Sequence, residues 1–411
     1  MTAEENTRIQ PGAMNWKVCL AVLTASAFIM EVSYTMIFPF LPIFLMEELG
    51  VGTEDLNYWN GLIFSVTFVI SGVMAPIWGK IADKKSKKLM AVRASVCLTV
   101  AYLLFSIVQT PWQLFWVRAF QGFSAGLWPA SIAIVSTVAP ARHVGFCMGT
   151  MAAGLTAGAV AGPLVGGVLS EFFGMRTSFM MSSLGLLVIS LMLIFIIHEP
   201  PKRVRSGSTF VKKGPGVLRR PVIQRMLFAA GAVQLSVMMA QPVLPLYIGE
   251  LQGSGESLAL MSGIVFATVG VAGIFASTPW GVAGQRLGYR PVLYSSMLLY
   301  GLFCVVQAIP EDLTWFTVWR FVAGLAYAGI YPAINAVFTE STDQGERGLI
   351  FGWSYSVQQV GAALGPFAGG AAAALWGNQG AIAASGVVLF PLVLVLYMMR
   401  PKAKTISQTN Q

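Results

Sequence analysis

Residues 158–167 read GAVAGPLVGG, and the same pattern returns 203 residues later as GAALGPFAGG at 361–370. Three further motifs return in the same order at an offset of 202–203: FPFLP (38–42) as QPVLP (241–245), PIWG (76–79) as TPWG (278–281), and WPA (128–130) as YPA (331–333). Matches that keep both their order and their offset indicate an internal duplication. We therefore expect two halves of similar structure.

The composition of both halves is that of an integral membrane protein. Of 411 residues, 56% are hydrophobic and 10% are charged, whereas a soluble domain carries about 25% charged residues. The apolar residues form runs of the roughly 20 residues that a helix needs to cross a bilayer. These runs predict an all-α membrane protein with twelve spans: 17–46, 57–79, 89–108, 112–138, 145–170, 177–198, 223–248, 258–283, 291–309, 313–338, 348–375 and 379–399.

The repeat and the spans together predict the domain organisation. Residues 1–199 should form an N-terminal six-helix bundle and residues 223–411 a C-terminal one. Between them, residues 200–222 are rich in Pro, Gly, Ser and cations, a composition typical of a flexible linker.

The distribution of the +9 net charge along the chain indicates membrane topology rather than nucleic-acid binding. With twelve crossings, nearly all Lys and Arg fall on the side that holds both chain ends, residues 80–88 and the linker, which we call the basic side. Arg176 falls on the opposite side, and Arg118 and Arg320 lie within spans. By the positive-inside rule the basic side, with both termini, is cytoplasmic.

The loop after span 2 reads GKIADKKSKK at 79–88. It resembles the loop signature of the major facilitator superfamily, Gly-x-x-x-Asp-Arg-x-Gly-Arg-Lys, with Lys84 in place of the arginine and Ser86 in place of the second glycine. The resemblance implies a gating loop in which Asp83 meets a neighbouring helix end in the outward-facing state. The alternative is a solvated loop that only sets topology. The candidate gating residues are Gly79, Asp83, Lys84, Lys87 and Lys88.

Span 4 carries an arginine inside an apolar run. Leu114, Arg118, Gln121 and Gly122 match the superfamily's span-4 motif, Leu-x-x-x-Arg-x-x-Gln-Gly. The resemblance implies that Arg118 takes part in proton transfer. Alternatively, its side chain snorkels to the membrane interface, since Trp112 lies only six residues away.

The string in span 5 is the most specific motif of the chain. It resembles the antiporter signature of the drug–proton exporters, which implies export in exchange for protons. Its small residues, spaced four apart, also predict close helix packing. The residues concerned are Gly158, Gly162, Pro163, Gly166 and Gly167.

Glu31 is the only acid deep inside a predicted span. A charge at the middle of a membrane helix costs about 3 kcal/mol on insertion scales and usually marks a transport pathway. Loss of water favours the protonated form of a carboxyl group, so a cationic substrate could compete with a proton for Glu31. The alternatives are a structural ion pair with Arg118 and a hydrogen-bonded neutral acid. Gln234 stands at the equivalent position of the second half.

The resemblance implies a substrate cavity near the midplane, lined by spans 1, 4, 7 and 10. Several polar and aromatic residues at helical spacing are candidates for its walls, although each could instead serve packing. They are Tyr34, Gln121, Gln234, Gln241, Tyr327, Tyr331, Asn335, Tyr355 and Gln358. An aromatic cavity with few charges suits lipophilic ligands and organic cations.

These features predict a proton-coupled exporter of the cell membrane rather than an enzyme. The chain has no Gly-x-x-x-x-Gly-Lys-Ser/Thr string for ATP, and its four cysteines suggest neither a metal site nor a disulfide. We expect a monomer without cofactor that moves lipophilic or amphiphilic molecules by rocking of its halves. The alternatives are an exporter of one endogenous metabolite, such as a siderophore or a sugar, and a receptor or scaffold without transport.

Overall fold

The computed structural model describes residues 15–84, 86–140, 143–198, 216–253 and 257–398. These ranges form fifteen α-helices. The first half contains α1 (Trp16–Glu47), α2 (Thr53–Lys84), α3 (Lys87–Ile107), α4 (Pro111–Phe123), α5 (Leu127–Val138), α6 (Val144–Phe173) and α7 (Met175–Phe195). The second half contains α8 (Pro221–Ala240), α9 (Leu244–Gln252), α10 (Leu258–Leu287), α11 (Tyr289–Val306), α12 (Leu313–Tyr327), α13 (Ile330–Ser341), α14 (Gln344–Val387) and α15 (Leu389–Met398).

The helices make the twelve predicted crossings. Ten helical segments of the described chain are long and apolar enough to span a membrane. Of these, the 50-residue segment Leu349–Met398 holds two crossings, because Gly377 has a non-helical backbone (φ 72°, ψ 175°) that divides it. The remaining crossing is made by α4 and α5 together, with 13 and 12 residues. The prediction of an all-α, twelve-span membrane fold is confirmed.

Three of the predicted spans are interrupted in the structure. Spans 4, 7 and 10 break at 124–126, 241–243 and 328–329. Each break is followed within the next helical turn by a proline: Pro129, Pro245 or Pro332. A proline cannot donate to the carbonyl four residues earlier and clashes with it. That carbonyl lies inside the break in all three spans, so each break accompanies a proline.

The duplicated string packs each half internally. A Cβ atom on Gly158 would lie 2.5 Å from the carbonyl oxygen of Phe28, and one on Gly369 would lie 2.0 Å from that of Met239. These glycines therefore press α6 against α1 and α14 against α8, so that the backbones touch. The small residues of the string are required for this approach.

The same string also joins the two halves. A Cβ on Gly263 of α10 would lie 2.3 Å from the carbonyl oxygen of Pro163 in α6. At the repeat-related place, a Cβ on Gly61 of α2 would lie 3.4 Å from that of Pro366 in α14. We call these contacts the α6–α10 seam and the α2–α14 seam. Two bundles related by the repeat thus meet along two equivalent lines.

Both seams are closed on the side opposite the basic side and open on the basic side. In the α2–α14 seam, a Cβ on Gly370 would lie 3.0 Å from the Asn57 carbonyl oxygen, whereas Gly79 and Gly352, nearer the basic side, have nothing within 4 Å. In the α6–α10 seam, no described atom outside the local helix lies within 4 Å of a Cβ added to Gly149 or Gly281, at the basic-side ends. The space between the halves therefore widens toward the basic side.

Part of the predicted organisation lies outside the described residues. Most of the predicted linker, residues 200–222, lies outside the described residues, because the structure describes the chain up to residue 198 and again from residue 216. The helix α8 begins at Pro221. The predicted boundaries at 199 and 223 stay predictions.

Substituting Gly369 by alanine should destabilise the protein. The added methyl would overlap the Met239 backbone, which cannot move aside as a side chain can, and overpacking of this kind costs about 1–3 kcal/mol. Gly352→Ala in the same helix is the matched control, since its methyl meets nothing. Thermal unfolding in detergent should show a lower midpoint for Gly369→Ala alone. Equal midpoints for both variants would contradict the packing.

Candidate functional site

A cavity of about 420 Å³ lies between the two halves. Its walls come from α1, α2, α3, span 4, α6, α7, α8 and α14. Most of the surface is apolar or aromatic, including Met30, Phe38, Phe68, Trp128 and Met238. The volume lies within the roughly 300–1,000 Å³ of small-molecule sites. The cavity adjoins the α2–α14 seam, because Gln359 and Ser71 line the cavity and also contact each other across that seam.

Glu31 contributes the one carboxyl group among the lining residues, which include no lysine or arginine. Within the described part of the chain, its carboxyl group has neither a hydrogen bond nor an ion pair. The proposed pairing with Arg118 is absent from the structure. The backbone at Glu31 is packed closely against α6, because a Cβ atom added to Gly158 would lie only 2.9 Å from the Glu31 Cβ atom. The carboxyl group is thus held at the wall and available to a ligand or a proton.

The structure brings five of the predicted residues together at the cavity: Glu31, Tyr34, Gln121, Gln234 and Tyr355. They come from spans 1, 4, 7 and 11. Tyr331 stands behind them, where its hydroxyl donates to Gln234 Oε1 at 2.6 Å. This bond orients the amide that occupies the position equivalent to Glu31.

The other predicted lining residues lie elsewhere. Gln241 sits in the break of span 7, and Tyr327 packs against Tyr300 with ring centroids 5.3 Å apart. Asn335 is exposed, and Gln358 donates to Ser354 of its own helix. Span 10 therefore supports the wall through Tyr331 instead of forming it.

Gln359, the neighbour of the predicted Gln358, lines the cavity together with Tyr355 of the same span. Its Nε2 donates to Ser71 Oγ of α2 at 2.6 Å, which joins the two halves beside the cavity. The sequence offered two adjacent glutamines, and the helical phase that chooses between them depends on tertiary packing. This polar contact has no equivalent in the other seam, where Gly273 and Thr156 hold the repeat-related positions.

Arg118 is buried behind the cavity wall, with 2% of its surface exposed. Its guanidinium donates to Gln121 Oε1 at 2.7 Å and to the Ile63 carbonyl at 3.3 Å. Gln121 donates in turn to the Tyr102 hydroxyl at 3.3 Å, which donates to the Ser33 carbonyl. The arginine therefore does not snorkel to the interface. It fixes a chain of hydrogen bonds that connects spans 4, 2, 3 and 1.

Comparison with known proteins places this architecture in a family. The protein-family model of the Major Facilitator Superfamily matches residues 23–264 and again residues 226–411. The chain belongs to the Major Facilitator Superfamily. It is accordingly a secondary transporter of small molecules and not an enzyme.

Relatives within the superfamily match over nearly the whole chain. The multidrug resistance protein MdtG of Citrobacter koseri is 30% identical over 398 residues, covering 96% of this chain and 98% of its own. The protein of the same name from a Rahnella strain is 31% identical over 380 residues, covering 92% of each chain.

Solved structures of the superfamily share the fold at low identity. A bacterial homologue of the human lysosomal transporter Spinster, in an inward-facing and occupied conformation, gives a TM-score of 0.79 at 15% identity, covering 92% of this chain and 95% of its own. The nucleoside transporter NupG gives a TM-score of 0.75 at 14% identity, covering 95% of this chain and 100% of its own.

The second half of this superfamily member lacks the hydrogen-bond chain of the first. Arg320, the repeat of Arg118, is also buried, but Ala323 and Cys304 stand where the first half has Gln121 and Tyr102. Among the described residues, the Arg320 Nε atom has no hydrogen-bond acceptor. Arg118 of the first half holds a residue of the cavity wall, Gln121, by a hydrogen bond.

Arg93, which the sequence places near the start of span 3, has a role that its charge alone did not indicate. In the structure it lies in α3 at the break of span 4 and donates to the Phe123 and Ala125 carbonyls at 3.2 and 2.6 Å. Its guanidinium also stacks 3.7 Å from the ring centroid of Trp78. The Ala125 carbonyl is the one that Pro129 leaves without a helical donor. Two features of the sequence together could have indicated this contact: a proline inside span 4 and a cation near the start of span 3.

The predicted gating loop has helical ends in the structure. Lys87 Nζ donates to the Ala133 carbonyl at 3.1 Å and to Thr137 Oγ1 at 2.9 Å, near the end of α5. Lys88 Nζ donates to the Ile194 carbonyl at 2.7 Å, near the end of α7. Cations in such positions stabilise helix C-termini. Gly79 lies within α2, and the side chains of Asp83 and Lys84 lie outside what the structure describes.

Replacing Gln121 by alanine should destabilise the first half. The change leaves a buried guanidinium donor without its acceptor, which costs about 1–3 kcal/mol. Gln358→Ala is the matched control, because the hydrogen bonds of that glutamine to described residues stay within its own helix. The midpoint of thermal unfolding in detergent should fall for Gln121→Ala and change little for Gln358→Ala. A Gln121→Ala protein as stable as the control would rule out a structural role for the hydrogen bonds between Arg118, Gln121 and Tyr102.

Proposed function

We propose that the protein exports lipophilic or amphiphilic molecules, organic cations among them, across the cytoplasmic membrane in exchange for protons. The observation that carries this proposal is Glu31, an unpaired carboxyl group on the wall of an otherwise neutral cavity. An unpaired charge in a poorly hydrated site is costly. The carboxyl group therefore needs either a proton or a cation, and the two exclude each other.

The cavity favours ligands that are mainly apolar. Phe38, Phe68 and Trp128 line it with aromatic rings, and Tyr34 and Tyr355 add rings with hydroxyl groups. Aromatic faces attract organic cations as well as neutral rings. The name of the relatives, multidrug resistance protein MdtG, supports a broad substrate range of this kind. A site for one sugar would instead be expected to present many converging hydrogen-bond groups.

Exchange follows from competition at Glu31 combined with rocking of the halves. With the basic side cytoplasmic, the cavity is open to the cytoplasm, where substrate binds to the deprotonated carboxylate. Opening of the opposite ends of the seams would expose substrate to the outside, and protonation of Glu31 would then displace it. Return of the protonated carrier and release of the proton from Glu31 to the cytoplasm complete the cycle. Arg118 acts in this scheme through Gln121, whose amide it holds at the wall.

The remaining features of the proposal concern the arrangement in the membrane. Both termini are placed in the cytoplasm, the units 1–199 and 223–411 are the bodies that rock, and the working form is a monomer. One cavity between two halves is enough for the cycle described. Proton, substrate and bilayer are the partners that this cycle requires.

Glu31→Gln should abolish proton-driven transport. The amide keeps the size of the side chain but cannot exchange a proton or carry a charge. In everted vesicles with an imposed proton gradient, this variant should accumulate a cationic dye no faster than vesicles without a gradient. Downhill movement of a neutral lipophilic substrate should persist, which separates a coupling defect from misfolding.

Glu171→Gln is the control, because Glu171 is an exposed acid near the end of α6. It should transport like the unmodified protein. Wild-type proton-driven accumulation by Glu31→Gln would refute the coupling role. Testing several dissimilar compounds in the same vesicles separates a broad substrate range from the export of one metabolite.

A further inference from the structure

A second large concavity lies on the outer surface of the second half, away from the transport cavity. It is a groove of about 750 Å³ between α11 and α15, at their basic-side ends. Its lining includes Arg290, Tyr294, Leu298, Phe390, Leu394 and Tyr397. Leu298 and Leu394 are 41% and 58% exposed. The groove is therefore an apolar surface that faces the bilayer, with one cation at its end.

The repeat shows why this cation is available. In the first half, Lys88 donates to the Ile194 carbonyl at the end of α7. The repeat-related residues are Arg290 and Leu396, 202 positions later. In the second half, however, the Leu396 carbonyl accepts from the Tyr294 hydroxyl at 3.4 Å.

Tyr294 thus takes over the contact that the lysine makes in the first half, where Val92 stands at the equivalent position. Within the described part of the chain, Arg290 has no hydrogen bond and no ion pair, and it is exposed. The second half consequently combines an open groove with a free guanidinium.

We propose that this groove binds an anionic phospholipid, with the phosphate at Arg290 and an acyl chain along Leu298, Phe390 and Leu394. A guanidinium matches the geometry of a phosphate with two parallel hydrogen bonds. The apolar walls, with exposed Leu298 and Leu394, suit an acyl chain. The excess of cations on the basic side attracts anionic headgroups to this end of the molecule.

The test is lipid binding to the purified full-length protein by native mass spectrometry, with phosphatidylglycerol as the probe. Arg290→Gln should weaken binding of the first phosphatidylglycerol molecule about tenfold, as expected for the loss of a charge-assisted hydrogen bond. Arg286→Gln is the matched control, an exposed arginine near the end of α10 that does not line the groove. It should bind the lipid like the unmodified protein.

Two further arms test the groove itself. Leu298→Trp should also weaken phosphatidylglycerol binding, because it fills the path of the acyl chain without changing charge. Soluble glycerol 3-phosphate in excess should not displace the lipid, which distinguishes a lipid site from a phosphate site. The proposal is overturned if Arg290→Gln and Arg286→Gln lose binding equally. It is also overturned if Leu298→Trp binds normally, if phosphatidylcholine binds as well as phosphatidylglycerol, or if glycerol 3-phosphate competes.

Discussion

Close backbone contact at glycines is the constraint on which the rest of the structure depends. In each half, the duplicated string presses one span against the first span of its own bundle, and its proline meets a glycine of the other bundle. In a membrane, helices gain little from hydrophobic burial against one another, so tight van der Waals packing must hold them together. The cavity, the placement of Glu31 and the two seams all follow from these contacts.

The two halves share this packing but differ in the residues that carry chemistry. The first half has Glu31 and the Arg118–Gln121–Tyr102 chain, whereas the second has Gln234 and an arginine whose Nε lacks an acceptor among the described residues. At the basic-side surface the available charge is in the second half instead. Lys88 of the first half donates to a helix end, whereas Tyr294 makes the equivalent contact in the second half and leaves Arg290 exposed. Duplication supplies the shared packing, and substitutions at equivalent positions give the two halves different polar and charged side chains.

Much of this could be predicted from the sequence. Long apolar runs indicated twelve spans, and matches at one offset indicated the duplication, because both signals persist over many residues. The position of Glu31 was also predictable, since a lone carboxyl group in an apolar run points to a cavity. The absence of a partner for the Glu31 carboxyl group was not predictable, because it depends on the direction of the Arg118 side chain.

Errors arose where local chemistry or helical phase decided the outcome. Pro39 and Pro42 lie within the continuous helix α1, whereas the related prolines of QPVLP accompany a break, so proline alone does not determine where a span is interrupted. The choice of Gln359 over Gln358 depends on the rotation of α14 against α2. Arg93 was missed because charge counting assigns cations near a loop to topology, and only the structure shows the carbonyl that it binds.

The central claim is that the α2–α14 seam must open for transport. A Cβ on Gly72 would lie 3.6 Å from the Gln359 Cβ, a separation suited to a disulfide. The measurement is transport by Gly72→Cys/Gln359→Cys before and after oxidation, with the cross-link verified by mass spectrometry. The account predicts that oxidation stops transport, that a reductant restores it, and that each single variant is insensitive to oxidation. Undiminished transport by the fully cross-linked protein would contradict it.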